Sequence, residues 1–569
     1  MAGSPAVAAA AARPLRQQVS ADEWVMRGAL LAVGAYLFVT VALPLYALLT
    51  KSFQGRDGHF IGLANYVAYF TNPALSTALV HSVVIGVVTT VITVTMAFTY
   101  AYAVTRSRMP GRGLFRGIAL VPLLAPSLLP ALSLVYLFGN QGVLKGLLFG
   151  HTVYGPIGIV IGEVFFTFPQ ALMILLTALA NTDQRLYDAA TALRAGPSRI
   201  FRTVTLSGCR YGLVSAAFVV FTVAFTDFGV PKVIGGGYNV LATDVYQQVV
   251  GQFNFQMGAV VGMILLAPAV LSFAVDRMLQ RRQVALVSAR AVPYVAGPDA
   301  RRDAICLTAC LAIAAFILGM IGMAAYGSVI TYWPYNLTLT LKNYDFGAVA
   351  TNGWEPYWNS LILATATAVI GTAIVFLGAY LVEKSRGFRQ VRNLVQFLCL
   401  LPLAVPGLVL GLAYIFFFNA PANPLNFLYL TMAILVINTI AHFYTVCHLT
   451  AATALKQLDP EFEAVSASLK VPVYRTLWRV IVPICLPAII DIGVYLFVNA
   501  MTTVSAVVFL YSADTKLAAI AILNMDDAGK TANAAAMGMT IVATSAGLRA
   551  LQVLAMRGIS RRSQAWRRR

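Results

Sequence analysis

Three acids stand inside runs of apolar residues: Glu163 within GEVFFTFPQ, Asp227 within FTDFGVPK and Asp491 within PAIIDIGVYL. An ionisable side chain at membrane depth is costly and faces protein or water rather than lipid. Each of these carboxylates can line a path for a cation or an ammonium group, or bond a buried hydroxyl or backbone amide. No Lys or Arg stands mid-helix to grip an anion, and Lys232 is the nearest cation, at one mouth. The cysteines Cys209, Cys306, Cys310, Cys399, Cys447 and Cys485 form no CxxC and read as small apolar residues. The five histidines have no ligand spacing, so no metal and no cofactor are expected. Gly529-Lys530-Thr531 offers the end of a phosphate-cradling loop, but Asn524 stands where its first Gly belongs. Gly235-Gly236-Gly237 has no Lys after it. No convergent His, Asp or Glu cluster marks an intramembrane enzyme, and the chain reads as a non-enzyme.

The elements that position these residues are membrane helices. Of 569 residues, 59% are hydrophobic and 11% charged, and the mean hydropathy is +0.78. Apolar runs of about 20 residues recur, as in an all-α polytopic membrane protein. A transmembrane β-barrel would alternate in runs of about ten. Twelve helices are expected, near 28–50, 81–105, 114–139, 153–180, 210–231, 256–276, 304–328, 358–382, 394–419, 427–454, 484–511 and 533–556. With the N-terminus inside, 33 of the 40 Lys and Arg fall on the inner side and 7 on the outer. This asymmetry places both termini in the cytoplasm. It also accounts for the net charge of +19 without a nucleic-acid partner. Residues 1–27 read as a disordered cytoplasmic tail. The basic tail 557–569 reads as a segment lying against anionic lipid headgroups.

The chain repeats itself. Asn65-Tyr66 matches Asn343-Tyr344, Ser82 matches Ser360, LVPLLAP (120–126) matches LLPLAVP (400–406), and Pro197 matches Pro472, all at offsets near 278. The first repeat spans 28–280, a cytoplasmic linker 281–303, and the second repeat 304–556. Six helices per repeat return the chain to its starting side. The repeats are therefore parallel, with a pathway expected between them. Pro122, Pro126 and Pro130, and again Pro402 and Pro406, bend the third helix of each repeat. The bend either lines the path or serves packing alone. The outer segment 329–357 is rich in Trp and Tyr and reads as an interfacial belt.

Two inner loops are long and amphipathic: LYDAATALRAGPSRIFRTVTL (186–206) and FEAVSASLKVPVYRTLWRVIVP (462–483). Each reads as a short helix, a turn, and a second short helix starting at Pro197 or Pro472. Pro483 is expected to end the second. Before the turns sit Asp188, Ala189 and Ala190, and Glu463 and Ala464. Small residues admit a partner backbone, and a carboxylate can meet a cation there. The alternative is a pair of interfacial helices bracing the bundle.

These loops resemble the cytoplasmic motif of ATP-binding-cassette importer permeases: Glu-Ala-Ala, Leu-Gly about five residues on, then apolar-Leu-Pro. Asp188 takes the Glu position, and Ala189, Ala190 and Leu193 match. Arg194 replaces the Gly, with Gly196 two residues later, and Ser207 replaces the terminal Pro. In the second copy Leu469 and Pro483 match, Glu463 lies one residue early and Lys470 takes the Gly position. The resemblance implies coupling helices that dock two separate cytoplasmic ATPase subunits, which handle the ATP. It also implies an external solute-binding protein and a place in the bacterial inner membrane. The whole chain after the tail is similar to the fused double-permease branch, which includes ferric-iron importers and proteins assigned to 2-aminoethylphosphonate uptake. Residues 235–262, 280–294 and 332–346 look closest to the 2-aminoethylphosphonate type. Alternating access between rocking halves is the expected mechanism. An ion-driven secondary transporter is the rival; it needs paired carboxylates at the midplane and no docking loops.

Overall fold

The computed structural model describes residues 21–286, 292, 294–348, 352–385, 388–459 and 461–563. Much of the expected N-terminal tail, part of the expected linker and the last residues of the basic tail lie outside them. The first half comprises α1 (Asp22–Ser52), α2 (Ala64–Thr71), α3 (Pro73–Arg106), α4 (Arg112–Leu124), α5 (Leu128–Phe138) and α6 (Pro156–Ala180). It continues through α7 (Gln184–Ala192), α8 (Pro197–Leu206), α9 (Arg210–Thr226), α10 (Gly229–Ile234), α11 (Leu241–Tyr246) and α12 (Phe255–Leu286). The second half comprises α13 (Ala300–Val329), the hairpin β1 (Ile330–Tyr332) and β2 (Asn336–Leu339), α14 (Glu355–Lys384), α15 (Arg389–Ala404) and α16 (Gly407–Phe418). It ends with α17 (Met432–Lys456), α18 (Glu461–Ser468), α19 (Val473–Thr502), α20 (Ala518–Asp527) and α21 (Thr531–Ser563).

Among the described residues nine helices are long and apolar enough to cross a membrane, or twelve if the bent pairs α4–α5, α8–α9 and α15–α16 each count as one span. Contacts between helices show that α4–α5 does. Thr93 and Thr167 meet through their hydroxyls at 3.2 Å, and Arg106 donates to the Leu179 carbonyl at 2.7 Å. So α3 and α6 run parallel, and the segment between them crosses once. The ion pair of Lys456 with Glu383 at 3.2 Å ties the ends of α17 and α14 in the same sense. Gly212 lies against Ala178, and Gly86 against Phe221, which sets α9 antiparallel to both α3 and α6.

The repeat is written in hydrogen bonds. Asn65 donates to the carbonyls of Ser52 and Gln54 at 3.0 and 2.9 Å; Asn343 donates to those of Ser328 and Ile330 at 3.0 and 2.7 Å. Ser52 and Tyr66 pair at 2.9 Å, as do Ser328 and Tyr344. The Ser82 hydroxyl accepts from the Leu241 amide at 2.8 Å, and Ser360 accepts from Ala518 at 2.8 Å. Each bond pins one connection of its half, at a net worth of about 1 kcal/mol.

Four expectations change. α1 starts several residues before position 28, with Asp22 and Glu23 in its first turn, where carboxylates suit the helix dipole. The third helices are not bent but broken, by 103° and 115°. The helix expected over 484–511 stops at Thr502. Pro483 does not end its helix; the π-type turn Leu477–Ile481 just before it absorbs the lost hydrogen bond, and α19 continues.

Candidate functional site

Four breaks in helical backbone converge on one cavity. Ala125 precedes Pro126 and is extended at ψ 140°, and Val405 precedes Pro406 at ψ 115°. A proline ring pushes the residue before it out of the helical region, which explains both. The third and fourth breaks are symmetry mates: Asp227 closes α9 at φ −68°, ψ 140°, and Thr503 closes α19 at φ −68°, ψ 134°. Gly229 faces Ser127 and Gly407 faces Ser505, each with no room for a Cβ. Ala125, Ser127, Asp227, Val405, Thr503 and Ser505 all line a cavity of about 370 Å³ between the halves. Irregular backbone at membrane depth is tolerated where it is buried in protein or lines a water-filled space.

The first half adds Gln170, Thr222 and Thr226 to the wall; the second adds His442, Tyr495, Asn499 and Thr502. No Lys or Arg is among the lining residues. Asp227 is the single lining carboxylate, and its Oδ2 also accepts from the Val230 amide at 2.9 Å, capping α10. Glu163 stands behind it on α6, fully buried and facing the Asp227 carboxyl. Asp491 is not brought to this place. It lies exposed on α19 and accepts from Gln552 of α21, which in turn accepts from Arg549. Sequence reading found Asp227 but missed its polar companions. The offset that relates the repeats points from Asp227 to Thr503 and could have found that one.

At the end of the bundle away from the two loops, the halves are tied by a charge pair. Lys232 Nζ of α10 reaches Asp527 Oδ1 at 3.1 Å and lies over the Tyr246 ring at 5.6 Å. Tyr246 in turn stacks on Phe509 at 6.1 Å. Burial, with Asp527 adjacent, pushes the neighbouring Asp526 carboxyl up to about 6.

The two amphipathic loops share one architecture. In the first, α7 carries Asp188 and Ala189 exposed and Ala190 half-buried, and Leu193 is 83% exposed. The chain then turns at Arg194 with φ 54°, the Ala195 amide bonds the Ala190 carbonyl at 3.0 Å, and Gly196-Pro197 opens α8. In the second, α18 carries Glu463 and Ala464, whose side chains are outside the described residues, and Leu469 is 69% exposed. Lys470 turns at φ 52°, the Val471 amide bonds the Ser466 carbonyl at 3.0 Å, and Pro472 starts the next helix. Arg194 and Lys470, which stand where the resembled motif has Gly, both take the left-handed conformation that glycine favours. An open groove of about 580 Å³ beside the second loop is lined by Phe462, Val465 and Leu469, with Arg475 and Arg479.

Both loops lie on the same face. Asp183 at the head of α7 accepts from the Val292 amide, and buried Arg106 stacks on Tyr187 and Tyr294 at 5.4 and 4.2 Å. The linker beyond Val292 therefore straps the first loop to the end of α3. The second loop is held by α1: the Val473 amide donates to Asp22 Oδ2 at 3.1 Å.

A family model described as "Binding-protein-dependent transport system inner membrane component" matches the chain twice, over residues 94–284 and 375–561. A ferric transport system permease protein of Actinobacillus pleuropneumoniae is 30% identical over 77% of this chain and 65% of its own length. A thiamine transport system permease protein of Brucella suis is 25% identical over 54% of this chain and 56% of its own. The chain thus spans under two thirds of the length of either relative. The solved bacterial alginate ABC transporter, in complex with its pentasaccharide-bound periplasmic protein, aligns at TM-score 0.38 and 15% identity, over 48% of this chain and 97% of that one. That score is too low to relate individual helices.

Proposed function

The chain belongs to the family of binding-protein-dependent transport system inner membrane components, and on that premise we propose that it is the fused double permease of an ATP-binding-cassette importer. The observation that carries this reading is the pair of loops 181–209 and 456–483. They share one turn geometry, lie on one face of parallel halves and present exposed apolar and acidic side chains. Two ATPase subunits would engage these loops, and a periplasmic binding protein would deliver the solute at the opposite face. Closure of the ATPases around ATP would rock the halves about the cavity. The 33-to-7 bias of Lys and Arg supports a cytoplasmic loop face with both termini on it.

The solute we assign first is 2-aminoethylphosphonate. Three stretches of sequence resemble that type, and the cavity offers one carboxylate for an ammonium group and several hydroxyl and amide donors for phosphonate oxygens. Ferric iron is the second reading, favoured by the relative named for it. A bare hard cation prefers several oxygen ligands, whereas among the described residues no three His, Cys, Asp or Glu side chains gather.

Charge reversal tests the loops. Asp188→Lys or Glu463→Lys should lower uptake and ATPase copurification at least tenfold while expression stays level. Wild-type uptake in both variants contradicts the docking role. Labelled 2-aminoethylphosphonate and ferric citrate, offered in turn to cells with and without the chain, decide the solute.

A further inference from the structure

We infer that the cavity itself recognises its cargo, through a cation-accepting arm on the first half and a hydrogen-bond-donating arm on the second. This deepens the importer reading and rests on it. The cation arm is Asp227, backed by Glu163. Asp227 lines the cavity, while Glu163 is fully buried with its carboxyl against the Asp227 carboxyl. A buried carboxylate without a donor or a counter-charge is costly. The Val230 amide caps one oxygen of Asp227, but the cavity wall holds no Lys or Arg as a counter-charge.

The second half breaks this symmetry. Thr503 has the same backbone conformation as Asp227 but no charge. Beside it lie the Ser505 hydroxyl and the second amide hydrogen of Asn499, whose first goes to the Tyr495 carbonyl at 2.8 Å, while the Thr502 hydroxyl is spent on the Val498 carbonyl at 3.0 Å. A solute seated across the seam therefore meets one negative end and one donor-rich neutral end. That pattern fits a small zwitterion or organic cation whose positive group sits on Asp227 and whose oxygens face Asn499 and Thr503. An anion lacking a positive group has no counterpart on the Asp227 side. The selectivity filter is then partly in this chain and not wholly in the protein that delivers the solute.

The test is ATP-driven uptake into proteoliposomes holding the full chain with its ATPase and binding protein. The probes are 2-aminoethylphosphonate, thiamine and ferric citrate. For 2-aminoethylphosphonate or thiamine, whichever the wild type carries, Asp227→Asn should cut uptake at least tenfold, and Asp227→Glu should restore a substantial part of it; wild-type uptake of ferric citrate alone overturns the inference. Thr503→Val should cut uptake of a zwitterion more than that of thiamine. Copurification with the ATPase reports folding in every variant. Assembled Asp227→Asn that transports at the wild-type rate overturns the inference, as does assembled Asp227→Glu no better than Asp227→Asn. Wild-type uptake that persists without the ATPase overturns the importer reading instead and leaves the Asp227 comparison standing.

Discussion

Arg194 and Lys470 are the most informative single residues outside the cavity. Each carries a long side chain at a left-handed position, φ 54° and 52°. Such a conformation costs a non-glycine residue roughly 1 kcal/mol or more. Arg194→Gly or Lys470→Gly should therefore leave thermal stability level or raise it slightly, whereas a β-branched residue at either place should lower it; melting in detergent distinguishes them. Asp526 makes a pH prediction. Its folded-state value near 6 is raised from 3.8, chiefly by burial. The stability it contributes is full below about pH 4 and is lost as pH rises through 6, to a limit of about 3 kcal/mol at 1.36 kcal/mol per unit. Asp526→Asn should flatten that part of the stability profile between pH 4 and 6; an unchanged slope contradicts this. Residue types alone indicated acids at membrane depth, but not their environment. Glu163 and Asp227 meet because α6 and α9 pack antiparallel, whereas Asp491 faces away on α19, and nothing in the local sequence separates the two cases.

The breaks are the elements that matter most. The Pro122–Pro126–Pro130 and Pro402–Pro406 patterns were legible as bends, and the pre-proline rule explains why they become breaks at Ala125 and Val405. The breaks after α9 and α19 carry no proline at the break itself. They follow from tertiary packing, with Gly229 pressed onto Ser127, so periodicity ran the expected helices too far. Replacing Pro126 and Pro406 together by Ala should let helix extend into the cavity wall. Uptake should fall at least tenfold while ATPase copurification persists. Unchanged uptake would show that the breaks serve packing alone.

At the scale of the molecule, the duplication was legible from four matched sites, and those sites proved to be structural. Asn65, Tyr66 and Ser82 make the same bonds as Asn343, Tyr344 and Ser360. What the offsets could not reveal is asymmetry: one half owns the cavity's carboxylate, and the linker straps the first loop while α1 holds the second. The Lys232–Asp527 pair joins the halves across the face opposite the loops. The rocking we propose breaks this pair, so Lys232→Ala should raise the rate at which that face opens, read as faster labelling of a cysteine placed at Thr503. The central claim is that both loops face the cytoplasm and are covered by an ATPase. Single cysteines at Leu193 and Leu469 test it directly, with a membrane-impermeant maleimide applied to spheroplasts and to inside-out vesicles. Both positions should react only in inside-out vesicles, and both should be shielded once the ATPase subunit is bound. Reaction of either position in spheroplasts, or equal reaction with the ATPase bound and absent, would contradict the account.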